Sequence, residues 1–258
     1  MSKIFLPLLL MIFLVTGCGN SEDKNKIIIG VDDEYAPICF HGERGELVGF
    51  DVDLAKEAAK RMGVKIEFKP IDWNSKGKEL QSGNIDMIWN GLDITPERQQ
   101  YILYSKPYMT NRQILLVRKG NPQNINSLGD LANKIVATQT DSNSEIYIEE
   151  NENLRNSFAD FITYRNIKEE FKALDSGEVD VLVIDEIAAR YAIIRNPDTF
   201  EIIEDTVGPG TEIGIGFRKD NVELRDKVQK VFDEMIWDGT TKKISEKWFQ
   251  ADLVKSKK

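Results

Sequence analysis

Within nine residues, Asn90, Gly91, Asp93, Thr95 and Arg98 gather an amide, a carboxylate, a hydroxyl and a guanidinium. They follow a short apolar run, Ile88-Trp89, and Thr95-Pro96-Glu97-Arg98 reads as the start of a helix. Farther along, Asp185 closes a second apolar run, VLVI. A carboxylate is best held by a bidentate guanidinium together with backbone N–H groups at a helix start. An ammonium is best held by a carboxylate. Arg98 with the turn Asp93–Thr95 could supply the first, and Asp185 the second, so the chemistry suggested is recognition of a zwitterion. Spacing alone leaves two other readings open. Arg98 also fits a solvated helix residue paired with Glu97 or Tyr101, and Asp185 also fits the N-cap of a helix in VIDEIAA.

The elements that must position these groups alternate. KIIIGV is an apolar run suited to a buried parallel strand. DVDLAKEAAKRMG puts Leu54, Ala58 and Met62 on one helical face and stops at Gly63. VKIEFKP reads as a strand, KGKELQSG as a short helix and NIDMIW as a strand. The order then recurs, with KIVAT, a helix near SEIYIEE, DFITY, NIKEEFKALDSG, EVDVLVI and DEIAARYAII. Strand–helix–strand units of this kind build parallel sheets by right-handed crossovers. LQSGNIDMIWNG (80–91) and LDSGEVDVLVID (174–185) both read Leu-x-Ser-Gly-x-Ile/Val-Asp-Met/Val, which predicts two similar α/β lobes. Polar residues follow the strand in each repeat, where open α/β sheets hold ligands. The C-terminal part reads as one strand and two helices, with Leu224, Val228, Val231 and Met235 as a core stripe.

The chain has 258 residues and is 41% hydrophobic, enough for one large or two modest domains. Its net charge of −9 argues against a nucleic-acid partner, which would need a basic footprint. At the N-terminus one lysine precedes an apolar run, Ile4 to Val15, too short to span a bilayer comfortably but suited to a signal-peptide core. Thr16-Gly17-Cys18 resembles the lipobox of bacterial lipoproteins, which implies lipidation of Cys18. The polar GNSEDKNK then reads as a tether. Cys39 remains as a single unlipidated thiol and is expected to be a buried small hydrophobe. No second segment of membrane-spanning length follows.

YAPICFHGERGELVGFDVDLAKEAAKRMG, WNGLDITPERQQYILYSKPY and RKDNVELRDKVQKVFDEMIWDGTTKKISEKWF resemble the polar amino-acid family of solute-binding proteins of ABC importers. The match covers nearly all of the chain after the tether. GFDxDLA, ITPER and DGT are specific together, though GFD or TPER alone would not be. The resemblance implies an α/β, two-lobed periplasmic-binding-protein-like fold of type II with two hinge crossings. Residues 1–17 would be the signal peptide and 18–26 the tether. Residues 27–111 with 207–258 would form the first lobe, and 112–206 the second. The crossings are expected near Asn111–Gln113 and Thr206–Glu212, where VGPG suits a loop. The resemblance further implies that Arg98 binds a ligand α-carboxylate with the backbone N–H of Asp93, and that Asp185 binds the α-ammonium with the Gly91 carbonyl. Tyr35 and Trp73 would flank the side chain, while Asp32, Asn90 and the Asp93 side chain would select among side chains. In TQTDSNSE, which begins at Thr138 and contains Gln139, Ser142 is the expected backbone donor. Thr140 and Asp141 stand there where Gly-Thr is usual. The implied partners are a free amino acid, a membrane ABC permease and, through the anchor, the membrane. The protein would act as a monomer, lipid-anchored on the extracellular face of the cell membrane, or in the periplasm if the cell has an outer membrane, with no cofactor and no metal.

Asp32, Asp93 and Asp185, with Asp141 near, would leave buried carboxylates unpaired unless the ligand side chain supplied a cation or proton donors. That favours lysine, arginine or ornithine, which Tyr35 and Trp73 could also hold over their faces. If Asp32 or Asp93 points away, glutamine or cystine fits as well. An enzyme of this fold, such as a dehydratase acting on cyclic amino-acid precursors through a cleft carboxylate, is the alternative class. The one histidine, His41, lies in a turn expected to be exposed, and no Ser-His-Asp set or phosphate loop is visible. A receptor or kinase sensor domain is the less favoured reading, since only eight residues follow Gln250.

Overall fold

The computed structural model describes residues 26–255, so Cys18, the signal peptide and almost all of the tether lie outside the described residues. Strand β1 (Lys26–Val31) leads through β2 (Glu34–Tyr35), β3 (Cys39–His41) and β4 (Leu47–Val48) into helix α1 (Phe50–Met62). Next come β5 (Lys65–Pro70), α2 (Lys76–Gln81), β6 (Met87–Ile88), β7 (Asp93–Ile94), β8 (Ile102–Tyr104), β9 (Met109–Asn111) and β10 (Gln113–Arg118). They are followed by β11 (Ile135–Gln139), α3 (Asn143–Glu150), α4 (Glu152–Arg155), β12 (Asp160–Tyr164), α5 (Ile167–Ser176), β13 (Val181–Asp185) and α6 (Glu186–Arg195). The chain closes with β14 (Phe200–Thr206), β15 (Thr211–Ile213), β16 (Gly216–Arg218), α7 (Val222–Trp237) and α8 (Thr240–Phe249).

Two five-stranded sheets carry the fold, in the orders β5-β1-β6-β16-β8 and β12-β11-β13-β10-β14. In each, the sequence-adjacent βαβ strands pair in parallel, and a strand from a distant part of the chain joins β6 or β13 antiparallel. The two orders superimpose element for element. α2 leads into β6 just as α5 leads into β13, so the repeat at 80–91 and 174–185 marks equivalent helix–strand joints. The chain passes from β9 to β10 through Arg112 and returns between β14 and β15. There β9 and β15 pair antiparallel, with Asn111 opposite Thr211.

Local chemistry explains the boundaries. Gly63 takes the left-handed conformation after α1, and its N–H closes the last turn on Ala59 and Lys60. Asn166 caps α5 by accepting the N–H of Glu169 at 3.0 Å. Leu54 and Ala58 are fully buried with Met62 packed beside them, as are Val228 and Met235 on α7. Each such Leu, Val or Met burial contributes roughly 1.5–3 kcal/mol. Cys39 is likewise buried.

Two expectations need correction. Thr95–Arg98 does not begin an α-helix. It forms a turn followed by one 3₁₀ turn, Arg98–Gln100, because β8 starts at Ile102 and leaves no room for a second turn. The strand expected over 84–89 is only Met87–Ile88, since Trp89 packs its ring on Phe232 in the core and Asn90 already lines the cleft.

Candidate functional site

The strand ends of the two sheets face one another. Asp32 follows β1, Asn90 and Gly91 follow β6, and Asp93 opens β7. From the other side come Gln139 at the end of β11, Ser142 and Asn143 at the start of α3, and Asp185 at the end of β13. One cavity is lined by Asp32, Tyr35, Trp73, Asn90, Gly91, Asp93, Arg98, Gln139, Ser142, Asn143 and Asp185. The ten residues expected from sequence therefore meet in one place, joined by Asn143. The cavity measures about 20 Å³, room for roughly one water. In this closed arrangement its polar groups bond one another across the cleft. A larger, more open groove of about 640 Å³ beside Phe40 and Phe200 contains none of these residues.

Arg98 is buried, not solvated as its alternative reading had it. Its backbone N–H donates to Thr95 Oγ1 at 3.2 Å, which fixes the turn. Nη1 approaches the Asp93 carbonyl at 3.5 Å, and Nη2 donates to the Asp141 carbonyl of the opposite lobe at 2.7 Å. Its Nε is buried without a partner, as are both amide atoms of Asn90. Such orphaned groups cost about 1–3 kcal/mol each, which a ligand with matching atoms would recover.

The acids have specific neighbours. Asp185 occupies the N-cap position of α6 but makes no side-chain cap. It accepts instead from Tyr35 Oη, Asn111 Nδ2 and, at 2.6 Å, Gln113 Nε2. Tyr35 therefore reaches across the cleft through its hydroxyl. Asp93 accepts from Thr211 Oγ1, while Tyr104 Oη donates to its carbonyl at 3.0 Å. Burial first, then the nearby Asp185 charge, pushes the Asp93 carboxyl up to about 6. Asp32 accepts from Gln139 Nε2 of the other lobe at 2.9 Å and from the Glu34 N–H at 3.0 Å, and burial raises its pKa. The three acids thus line the site, but each already accepts from a neutral donor of the protein rather than waiting unpaired for a ligand side chain. Ser142, expected as a backbone donor to the ligand, uses its N–H in a turn to the Gln139 carbonyl at 3.3 Å. Its hydroxyl caps α3 through Glu145 N–H at 3.1 Å.

Sequence reasoning missed Lys76, Asn111, Gln113, Asp51 and Glu170. Lys76 is buried, with its ammonium 4.8 Å from the Trp73 ring centroid and paired to the Asp141 carboxylate. Its three-residue spacing from Trp73 was the only signal. Asp51 sits in the GFD segment and supports Gly91 from below, accepting its N–H at 2.7 Å. Glu170 on α5 is buried near Asp185 and Asp32, and burial lifts its pKa well above the ordinary carboxylate value. His41 is exposed and bonded to Asp33, and among the described residues no group of His, Cys, Asp or Glu is placed to hold a metal.

Residues 27–251 match the family model of the bacterial extracellular solute-binding proteins, family 3. The L-cystine-binding protein TcyJ of Escherichia coli (strain K12) is 31% identical over 234 residues, spanning 91% of this chain and 86% of that protein. The lysine/arginine/ornithine-binding periplasmic protein of the same strain is 32% identical, spanning 98% and 99%. An ABC uptake transporter substrate binding protein from Streptococcus pneumoniae, solved with bound histidine, superimposes with a TM-score of 0.84. It is 31% identical, covering 89% of this chain and 94% of that one.

Proposed function

The chain belongs to family 3 of the bacterial extracellular solute-binding proteins, and on that premise we propose that it captures a free cationic L-amino acid for an ABC permease. It is an amino-acid-binding protein of transport, with no chemical step of its own. The relatives above are named for cystine, for lysine, arginine and ornithine, and for histidine, so they support an amino acid without choosing one.

The observation that carries the choice is the excess of acids around one cavity. Asp32, Asp93 and Asp185 line it against one guanidinium, Arg98, while the nearby Lys76 pairs with Asp141. A ligand α-carboxylate suits Arg98 and Lys76. An α-ammonium neutralises only one of the three acids, and a cationic side chain would match the charge of the others, which neutral donors now hold. Lysine, arginine and ornithine meet that requirement. The lobes 27–111 with 207–258 and 112–206 close on the ligand by rotation at the two crossings, Asn111–Gln113 and Thr206–Glu212, and the closed form docks on the permease. Cys18 carries the anchor. Cys18→Ala would then release the protein from membranes, and retention would refute the anchor.

A second reading has its own support. Asp32 and Asp93 each already accept from a neutral donor, Gln139 or Thr211. The amide of glutamine or the second head group of cystine could serve the same acids. Calorimetric titration against lysine, arginine, ornithine, glutamine, cystine and histidine separates the two. Tightest binding of a cationic member supports the proposal, tightest binding of glutamine or cystine refutes the cationic choice, and binding of none refutes the whole reading.

A further inference from the structure

Lys76 opens α2 and is among the largest side chains with almost no exposure, at 1%. Lysine is almost never so buried unless its charge is met. Its Nζ donates to the Trp73 carbonyl at 3.2 Å, to the Asp141 carbonyl at 3.3 Å and to the Asp141 carboxylate. Arg98 Nη2 donates to that same Asp141 carbonyl at 2.7 Å. Two cations from one lobe thus converge on a single oxygen of the other lobe. Asp141 is the carboxylate that pairs directly here, with Asp93 also acting on both cations, and the Arg98 Nε beside them is buried without a partner. A structural lysine–aspartate pair would not require a second cation on the same oxygen, and the donors spent on that carbonyl, with the unpartnered Nε, are ones a ligand carboxylate would meet.

Asp141 has the features of a replaceable occupant. It sits on the loop between β11 and α3 and its side chain is 37% exposed, while Lys76 is at 1%. Its φ of +57° places a non-glycine residue in the left-handed region, a conformation held by its surroundings. Lys76, by contrast, is fixed from below by the Trp73 carbonyl and ring.

We propose that Lys76 is a ligand-binding residue which, with Arg98, forms a two-cation corner for the α-carboxylate, and that Asp141 of the opposite lobe occupies this corner until the ligand carboxylate displaces it. The proposal rests on the amino-acid-binding reading above and adds to it a second carboxylate-binding group and a built-in competitor. It holds for any α-amino acid, whatever the side chain.

The neighbours of Lys76 also make the corner sensitive to pH. Burial first, then Arg98, lowers the Lys76 pKa to about 8, while Asp141 and Asp93 oppose the shift. Tyr101, whose ring packs on Gly77, has its pKa raised by burial and stays neutral through this range.

The test is calorimetric titration of the folded protein and its variants with L-arginine and with L-argininamide, which lacks the carboxylate. Lys76→Met should weaken L-arginine binding about tenfold or more, Lys76→Arg should restore most of it, and the amide should be indifferent to either change. Asp141→Ala should tighten L-arginine binding several-fold. Should Lys76→Met fail to fold, the wild type against Lys76→Arg between pH 7 and 9 decides. Affinity should fall above pH 8 only where lysine is present, since the titration of the ligand's own amine is common to both proteins. Equal losses for acid and amide, no loss for the acid, or identical pH profiles would overturn the proposal. If the wild type binds glutamine or cystine and not arginine, the cationic choice fails and the same comparison is made with that amino acid and its α-amide. If no amino acid binds, the underlying reading fails with it.

Discussion

The Asp51 carboxylate accepts the Gly91 backbone N–H at 2.7 Å, and the Tyr108 hydroxyl lies 2.9 and 2.8 Å from its two oxygens. A helix α1 carboxylate thus holds in place the turn from which Asn90 and Asp93 enter the cavity. Gly91 itself has φ +60°, and a Cβ there would lie 2.9 Å from the Tyr35 ring.

The net contribution of Asp51 to stability is pH-dependent. Asp51 is fully buried, and desolvation pushes its carboxyl from 3.8 up to about 7, with Gly91 and Tyr108 opposing. A folded-state pKa above the unfolded value means the contribution is full below about 3.8 and is lost as pH rises through about 7. Asp51→Asn should flatten the fall in melting temperature across that window, checked by thermal unfolding at stepped pH. Asp51→Ala should cost roughly 1–3 kcal/mol by leaving Gly91 N–H and Tyr108 Oη unmet.

Gly91→Ala should leave the protein folded but weaken ligand binding. The left-handed backbone costs about 1 kcal/mol for alanine, and the new methyl displaces Tyr35 from Asp185. Circular dichroism together with titration separates the two effects, and unchanged affinity would mean that Tyr35 is not held by this contact.

Arg98→Ala should weaken every amino acid alike, by about 2–5 kcal/mol, because a buried charged partner of the carboxylate is removed. Arg98→Lys should recover only part of this, since a point charge cannot replace the fork. A loss confined to one ligand would place Arg98 at the side-chain end instead.

Asp93 should govern preference more than strength. Its carboxyl, pushed up to about 6 by burial and by Asp185, protonates as pH falls through that value. Lysine binding should therefore weaken below about pH 6 while glutamine binding holds. Asp93→Ser should lower the lysine-over-glutamine ratio about tenfold or more. An unchanged ratio removes Asp93 from the selectivity determinants.

Much of this was legible in the chain. Hydrophobic periodicity and the 80–91 and 174–185 repeat reflect neighbours a few residues apart, so they marked the βαβ joints and the strand ends where polar residues gather. The residues around the cavity followed from those strand ends and from the resemblance of whole segments. The Thr95–Arg98 segment was misread as a helix because a capping pattern says nothing about how soon the next strand must begin.

By itself the sequence determined two similar α/β lobes in which polar residues follow a strand, Asn90 to Asp93 in one and Asp185 in the other, because these depend on local pattern and order. Only the tertiary structure decided which charges meet. Lys76 bonds Asp141 across 65 residues and Tyr35 bonds Asp185 across 150, pairs set by how two sheets face each other rather than by any spacing along the chain. Burial decided the rest. The same carboxylate side chain is an ordinary solvated acid on a surface, a group lifted to about 6 at Asp93 and one lifted to about 7 at Asp51, because the cost of charge depends on the water that folding removes.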